Sequence, residues 1–214
     1  MKYIKTEIDN SVKVDGLSLP VMEDFYTIQG EGYFQGHAAY FIRLGGCDVG
    51  CHWCDVKESW DASKFPQILA KDLASKVANV AGKIVVITGG EPLMHNLTIL
   101  TEELKNQGCK THIETSGVYP VSGTWDWICF SPKKFKEPNF EIYNVADELK
   151  VIVYNKSDLE WAESHASKVK ADCILYLQPE WSNEKQVLPL IIEYIKENPQ
   201  WQISLQIHKY MNIP

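Results

Sequence analysis

The sequence has no run of about 18 apolar residues, so nothing in it reads as a membrane-spanning helix. Its first 16 residues, MKYIKTEIDNSVKVDG, lack the apolar centre of a secretory signal. Basic residues are in deficit, with 21 Lys+Arg against 28 Asp+Glu and a net charge of −7 over 214 residues. That balance argues against a protein that grips nucleic acid through a basic surface. Repeats, low-complexity tracts and Gly/Ser-rich linkers are also missing, so no boundary divides the chain. Residues 1–214 therefore read as a single domain, with 1–36 as an N-terminal cap or small hairpin. The expectation is a soluble, cytoplasmic protein that binds neither nucleic acid nor membrane. In a reducing compartment its six cysteines are not a disulfide framework, and they need another explanation.

What is present is an alternation of short β-branched runs with longer amphipathic stretches. Strands are expected near 39–44, 84–88, 111–115, 127–130, 148–153, 173–178 and 203–207. Helices are expected near 66–81, 96–107, 157–169 and 185–197; in the last, Val187, Leu188, Ile191, Ile192 and Ile195 share one face, and Asn198-Pro199 ends it. Such alternation predicts a mostly parallel sheet with right-handed crossovers, an α/β fold. A complete eight-fold barrel takes about 250 residues. Because the 115–127 and 131–148 connections look too short or irregular for good helices, a partial, open β/α barrel is expected.

Cys47, Cys51 and Cys54 stand in Cys-x3-Cys-x2-Cys spacing directly after the first expected barrel strand. Gly45, Gly46 and Gly50 let that loop curl, so the three thiolates can converge on one metal centre. Zinc completed by His52 or a distant ligand is one reading. Structural zinc sites more often carry a second Cys-x2-Cys pair, and Cys109, Cys129 and Cys173 are isolated instead. An iron–sulfur cluster suits the spacing better, since three cysteines leave one iron of a [4Fe–4S] centre open. The isolated cysteines read as small buried hydrophobes.

In a barrel-like sheet, functional groups gather at the C-terminal ends of strands. Here six of the seven expected strand ends carry polar groups: Cys47, Thr88-Gly89-Gly90-Glu91, Glu114-Thr115-Ser116-Gly117, Ser131-Pro132-Lys133, Gln178-Pro179-Glu180 and His208-Lys209. The Gly89-Gly90 pair permits close backbone approach to a ligand, and Glu91 offers a negative charge to an ammonium group. Alone, Gly-Gly-Glu-Pro reads as a strand-to-helix turn with Pro92 opening the helix.

The cysteine loop, its aromatic Trp53 and the Gly-Gly-Glu-Pro run together resemble the radical S-adenosylmethionine (SAM) superfamily. Phe25-Tyr-Thr-Ile-Gln-Gly-Glu-Gly32, Arg43, Cys54-Asp55, Thr88-Gly-Gly-Glu-Pro92, Glu114-Thr-Ser-Gly117, Ser131-Pro-Lys133, Gln178-Pro179 and Ile207-His-Lys209 are similar to the 7-carboxy-7-deazaguanine synthase family, from about residue 20 to Pro214. That resemblance implies radical ring contraction of 6-carboxy-5,6,7,8-tetrahydropterin to 7-carboxy-7-deazaguanine with loss of ammonia, on the route to queuosine. It implies a [4Fe–4S] cluster and SAM, with the protein orienting and shielding a cofactor that does the difficult chemistry. A reductase such as flavodoxin as electron donor and a homodimer are implied as well. A radical SAM enzyme with another substrate, such as an activase of glycyl-radical enzymes, and a zinc-stabilised binding module are the alternatives.

By position, the resemblance implies that Cys47, Cys51 and Cys54 hold the cluster. Trp53, Gly90, Glu91, Ser131, Pro132, Lys133 and Gln178 would serve SAM, Trp53 through its backbone toward adenine. Ile28, Gln29, Gly30, Arg43, Thr88, Glu114, His208 and Pro214 would meet the substrate. Arg43 suits a carboxylate, which a guanidinium binds in bidentate fashion. One departure concerns Mg2+: the family usually has Thr or Ser after the Cys-Asp pair, whereas this chain has Val56, which offers no oxygen to a hard cation.

Overall fold

The computed structural model describes residues 15–214, so the first 14 residues of the expected cap lie outside the described residues. In chain order the elements are β1 (Ser18–Ile28), β2 (Ala38–Leu44), β3 (Gln67–Leu69), α1 (Ala70–Val77), β4 (Ile84–Gly89), α2 (Thr98–Asn106) and β5 (Lys110–Thr115). They continue with β6 (Trp127–Phe130), α3 (Ile142–Val145), β7 (Glu148–Val153), α4 (Ser157–Ala166), β8 (Ile174–Pro179), α5 (Glu184–Glu197), β9 (Trp201–Ile203) and α6 (Ile207–Met211).

All nine strands join one sheet in the order β3-β1-β2-β4-β5-β6-β7-β8-β9. Along β2-β4-β5-β6-β7-β8-β9 every neighbouring pair is parallel, and only β1 is reversed, pairing antiparallel with β2 on one side and β3 on the other. With β3 and β9 at separate edges the sheet does not close, which is the open partial barrel expected from the chain's length. Its central strands are buried almost throughout, as the apolar runs of β4 and β7 require in a parallel sheet covered by helices. The main core joins inward residues such as Ile42, Val85, Ile87, Ile113, Leu149 and Val151 to Leu73, Leu100, Leu104, Leu159 and Ile191 of the helices. Removing such area from water stabilises a fold by about 25 cal/mol per Å².

Six expected strands fall within a residue or two of those observed, from β2 to β8. Three expectations need correction. Of the expected cap or small hairpin, the described part is a hairpin with other bounds: residues 18–28 form an 11-residue strand antiparallel to β2, so it runs from 18 to 44 and takes in the first barrel strand. Residues 66–81 are not one helix, because Gln67–Leu69 pairs with Ser18–Pro20 before α1 begins at Ala70; edge pairing overrides the helical pattern there. The last strand is 201–203 rather than 203–207. The Ser204 amide donates to Leu177 O at 3.0 Å, the ladder ends, and 207–211 coils into α6. Within 115–127 there is no helix, and 131–148 contains only the four residues of α3.

Candidate active site

Because β2 and β4 to β8 are parallel, their C-terminal ends share one edge of the sheet, and a cavity of about 590 Å³ opens there. All but one of the residues carried over above line it: the exception is Pro132, which is buried and turns the chain after β6.

The cysteine loop leaves β2 and is anchored from below. Gly46 N donates to Ser59 O at 2.6 Å and Cys47 N to Trp60 O at 3.1 Å. Gly46 and Gly50 sit at φ +105° and +77°, a backbone conformation that suits glycine. The Gly-Gly run packs directly against this loop: Gly90 N donates to Leu44 O at 2.9 Å and Glu91 N to Gly46 O at 2.8 Å. A Cβ on Gly90 would stand 2.7 Å from the Gly46 carbonyl carbon and 3.0 Å from Cys47 Cβ, so only glycine fits. The two sequence motifs are thus parts of one joint.

All three loop cysteines are free thiols, Cys51 buried and Cys47 and Cys54 half-buried. Burial pushes the Cys51 thiol up to about 11, against the pull of Lys133, and raises that of Cys47 as well. Each thiolate charge opposes its neighbours, a cost that a bound cationic centre removes, since coordination deprotonates a thiol outright. Among the described residues no three His, Cys, Asp or Glu are grouped as a single-ion site, so the loop thiols are not drawn in around one ion. Cys109, Cys129 and Cys173 are buried, as expected. Three thiols on one curled loop, at the wall of a cavity, fit the donor set of an iron–sulfur cluster.

Lys133 donates to Ser131 O at 2.7 Å and Ser131 Oγ at 2.6 Å, and its ammonium lies 5.9 Å from the Trp53 ring centre. Burial lowers its pKa, with Cys51 opposing. Gln178 Oε1 accepts from Ser204 Oγ at 2.7 Å. Glu91 turns out differently from a carboxylate waiting for an ammonium group. It is buried and accepts from Leu93 N at 3.0 Å, Ser116 N at 2.8 Å and the hydroxyls of Thr115 and Ser116. The carboxylate ties the turn after β4 to the end of β5, the turn reading of Gly-Gly-Glu-Pro, and leaves the backbone of this run to face the cavity.

On the opposite wall, Gln29 Nε2 donates to Glu114 Oε1 at 2.9 Å. Arg43, the only arginine in the chain, donates Nε to Glu23 at 2.7 Å, which leaves its terminal nitrogens uncommitted. A β-bulge between Val21 and Glu23 sets Glu23 opposite Arg43. Gly30 and Gly32 prove to be close-approach positions: a Cβ on Gly30 would lie 2.7 Å from His208 Cβ, and one on Gly32 would lie 2.8 Å from Glu148 Cδ. The Ile207 amide donates to Gly30 O at 3.0 Å, which brings α6, His208 and Pro214 over the cavity. His208 is thus on a helix and not at a strand end, and burial lowers its pKa, with Glu31 opposing.

Sequence reasoning missed Lys150 and Gln206, and gave no role of their own to Glu31 and Lys209 within its motifs; all four line the cavity. Lys150 pairs with Glu31 and, at 3.3 Å, with Glu114, while Gln206 donates to Glu31 at 2.8 Å. The available signal was Lys150 itself, a charge in the middle of the apolar run ELKVIV. Lys209 lies 3.3 Å from Asp55, next to Val56.

Comparison with known proteins places this arrangement. The pattern of the Radical SAM superfamily matches residues 41–131, which span the cysteine loop to Ser131. A 7-carboxy-7-deazaguanine synthase of Flavobacterium psychrophilum is 57% identical over 199 residues, covering 93% of this chain and 94% of its own length. One from Synechocystis is 48% identical over 92% of this chain and 94% of its own length. The chain belongs to the 7-carboxy-7-deazaguanine synthase family. The crystal structure of QueE from Escherichia coli superimposes with a TM-score of 0.82 at 32% identity, covering 94% of this chain and 99% of that one. Like the rest of this radical SAM family, the chain therefore has the fold and cysteine loop of an enzyme that uses a [4Fe–4S] cluster and SAM. Among the described residues no helix is long and apolar enough to cross a membrane.

Proposed function

We propose that this chain converts 6-carboxy-5,6,7,8-tetrahydropterin to 7-carboxy-7-deazaguanine with loss of ammonia, a step toward queuosine. The observation that carries the reading is one cavity with two unlike walls: the cysteine loop on one side and the Gln29–Glu114–Arg43 group on the other. A [4Fe–4S] cluster with SAM would supply radical chemistry at C6 of the pterin. Cys47, Cys51 and Cys54 would hold the cluster. Gly90, Ser131, Lys133 and Gln178 would hold SAM, with the Trp53 backbone toward adenine and the backbone around Glu91 toward the methionine amine.

Arg43 receives the substrate carboxylate. With Nε committed to Glu23, its two terminal nitrogens present a fork that matches two carboxylate oxygens. Glu114 and Gln29 meet the pterin N–H edge, and Ile28, Thr88 and Gly30 shape the surrounding wall. His208 and Pro214, delivered by α6, close the mouth and exclude water from the reacting substrate. The Val56 side chain supplies no oxygen and its carbonyl accepts from the Ser59 hydroxyl at 2.7 Å, so Mg2+ is either lost or held by Asp55, Glu58, water or substrate oxygens. The same reading carries an external reductase such as flavodoxin, a homodimer and a cytoplasmic location. The test is anaerobic turnover of carboxytetrahydropterin with SAM and reductant. Deazaguanine product is expected from the wild type and none from Cys51→Ala; product from Cys51→Ala, or none from a cluster-loaded wild type, refutes the reading.

A further inference from the structure

Lys150 is a buried cation at this cavity that the proposed chemistry does not use. It sits on β7 between Leu149 and Val151, and its side chain is only 3% exposed. Its ammonium reaches two carboxylates from different parts of the chain, Glu31 after β1 and Glu114 at the end of β5. Exposure rises along the group: Lys150 3%, Glu31 14%, Glu114 24%. The ammonium therefore stands behind, and Glu114 is the member open to the cavity. Glu31 is further held by Gln206 at 2.8 Å, and the second oxygen of Glu114 by Gln29 at 2.9 Å.

A buried ion pair rarely stabilises a fold more than a well-packed apolar side chain does. Support of β7 alone would be served by another Leu or Val, like those on either side of Lys150. The geometry instead suits recognition. We infer that Lys150 is a positioning residue that anchors Glu114 from behind as a fixed hydrogen-bond acceptor, so that the cavity selects the N–H-rich edge of a 2-amino-4-oxopyrimidine ring. This rests on the substrate reading given above and names the part of the substrate that the group recognises.

The titratable groups facing Lys150, Glu31 and Glu114 are Glu148, Cys129, Lys133 and His208, with Lys209 beside His208. Burial disfavours the Lys150 ammonium, but Glu114 and Glu31 more than offset it and hold it protonated. Burial also raises Glu31, yet Lys150, Gln206 and His208 bring its carboxyl down to about 2. Without the ammonium, Glu31 loses the charge that holds its carboxyl down and takes up a proton more readily beside a second carboxylate. The protonated Glu31 then donates to Glu114 and occupies the acceptor that the pyrimidine edge needs.

The probe is 6-carboxypterin, the oxidised, fluorescent and unreactive analogue, titrated into cluster-loaded enzyme with SAM and no reductant between about pH 5.5 and 7.5. Lys150→Met is expected to weaken binding at least tenfold relative to wild type at the acid end, with the ratio shrinking as pH rises. Lys150→Arg keeps the charge and is expected to bind within about threefold of wild type at every pH. Lys150→Met with Glu31→Gln removes the second carboxylate; it is expected to remain about tenfold weaker but to lose the pH slope. Wild-type affinity in Lys150→Met, or a pH-independent loss that the double variant shares unchanged, overturns the inference. If Lys150→Met does not fold, Lys150→Arg and the double variant decide, and equal binding by those two overturns it. Failure of the wild type to bind the probe is a separate result, which sinks the substrate reading and the inference with it.

Discussion

Replacing Gly30 by alanine tests whether α6 closes the cavity through its contact with the β1–β2 loop. Gly30 does not adopt a left-handed backbone, so the added methyl brings no conformational strain. It brings a collision: the new Cβ would lie 2.7 Å from His208 Cβ and 2.8 Å from His208 Cγ. These are atoms near the base of the side chain, and rotating the ring does not clear them. His208 and the turn it sits on must move, against the bond from Ile207 N to Gly30 O at 3.0 Å. Overpacking of this kind costs about 1–3 kcal/mol. If the cost falls on the closed, ligand-bound state, affinity drops roughly 5- to 150-fold, at about 1.4 kcal/mol per tenfold. The assay is a pterin titration of wild type, Gly30→Ala, His208→Gly and the double variant, with iron content as a control that should not move. His208→Gly removes both Cβ and Cγ and so empties the space that the methyl needs; the double variant should bind like His208→Gly alone, a coupling of at least about 1 kcal/mol. Wild-type affinity in Gly30→Ala, or strict additivity in the double variant, would refute the reasoning.

Three further perturbations reach other parts of the structure. Glu91→Gln sets an amide NH2 among donors that now point at a carboxylate, and should lower the melting temperature through a loss of about 2–4 kcal/mol; an unchanged melt would remove Glu91 from its strut role. Arg43→Lys gives up both the Glu23 anchor and the fork, and should raise KM for the pterin about 10- to 100-fold; an unchanged KM would place the substrate carboxylate elsewhere. His112 and His165 are buried and held neutral, with burial bringing both down to about 4 from 6.5. The unfolded chain binds more protons than the native one between those values, so their stability contribution is full above about pH 6.5 and lost as pH falls toward 4. Each accounts for on the order of 3 kcal/mol. Urea midpoints should fall over that window, and less steeply in His165→Phe. Glu31, held at about 2, adds its own loss only below about pH 4.5.

The cysteine loop and the parallel strands were legible because their signals are local. Spacing marks Cys47, Cys51 and Cys54, and continuous apolar runs mark buried parallel strands such as β4. Strand β1 escaped because it is half exposed, carries Glu23 and Asp24 and includes Pro20, so its pattern is not that of a buried strand. The roles of Glu91 and Lys150 were hidden for a different reason. Their partners are distant in sequence: Thr115 and Ser116 lie 24 and 25 residues from Glu91, and Glu31 lies 119 residues from Lys150. Only the fold brings those donors and acceptors together. Likewise, nothing local in Gly30-Glu31-Gly32 marks its glycines as close-approach positions, which His208 and Glu148 impose from far along the chain.

The most direct test of the account is product yield against SAM supplied. Cluster-loaded enzyme is given excess carboxytetrahydropterin and reductant with SAM well below the substrate. If SAM serves as a cofactor in the cavity between the cysteine loop and the Arg43–Glu114 wall, 7-carboxy-7-deazaguanine should accumulate to many times the SAM added. Product no greater than the SAM consumed, or SAM cleavage with no deazaguanine at all, would contradict the account.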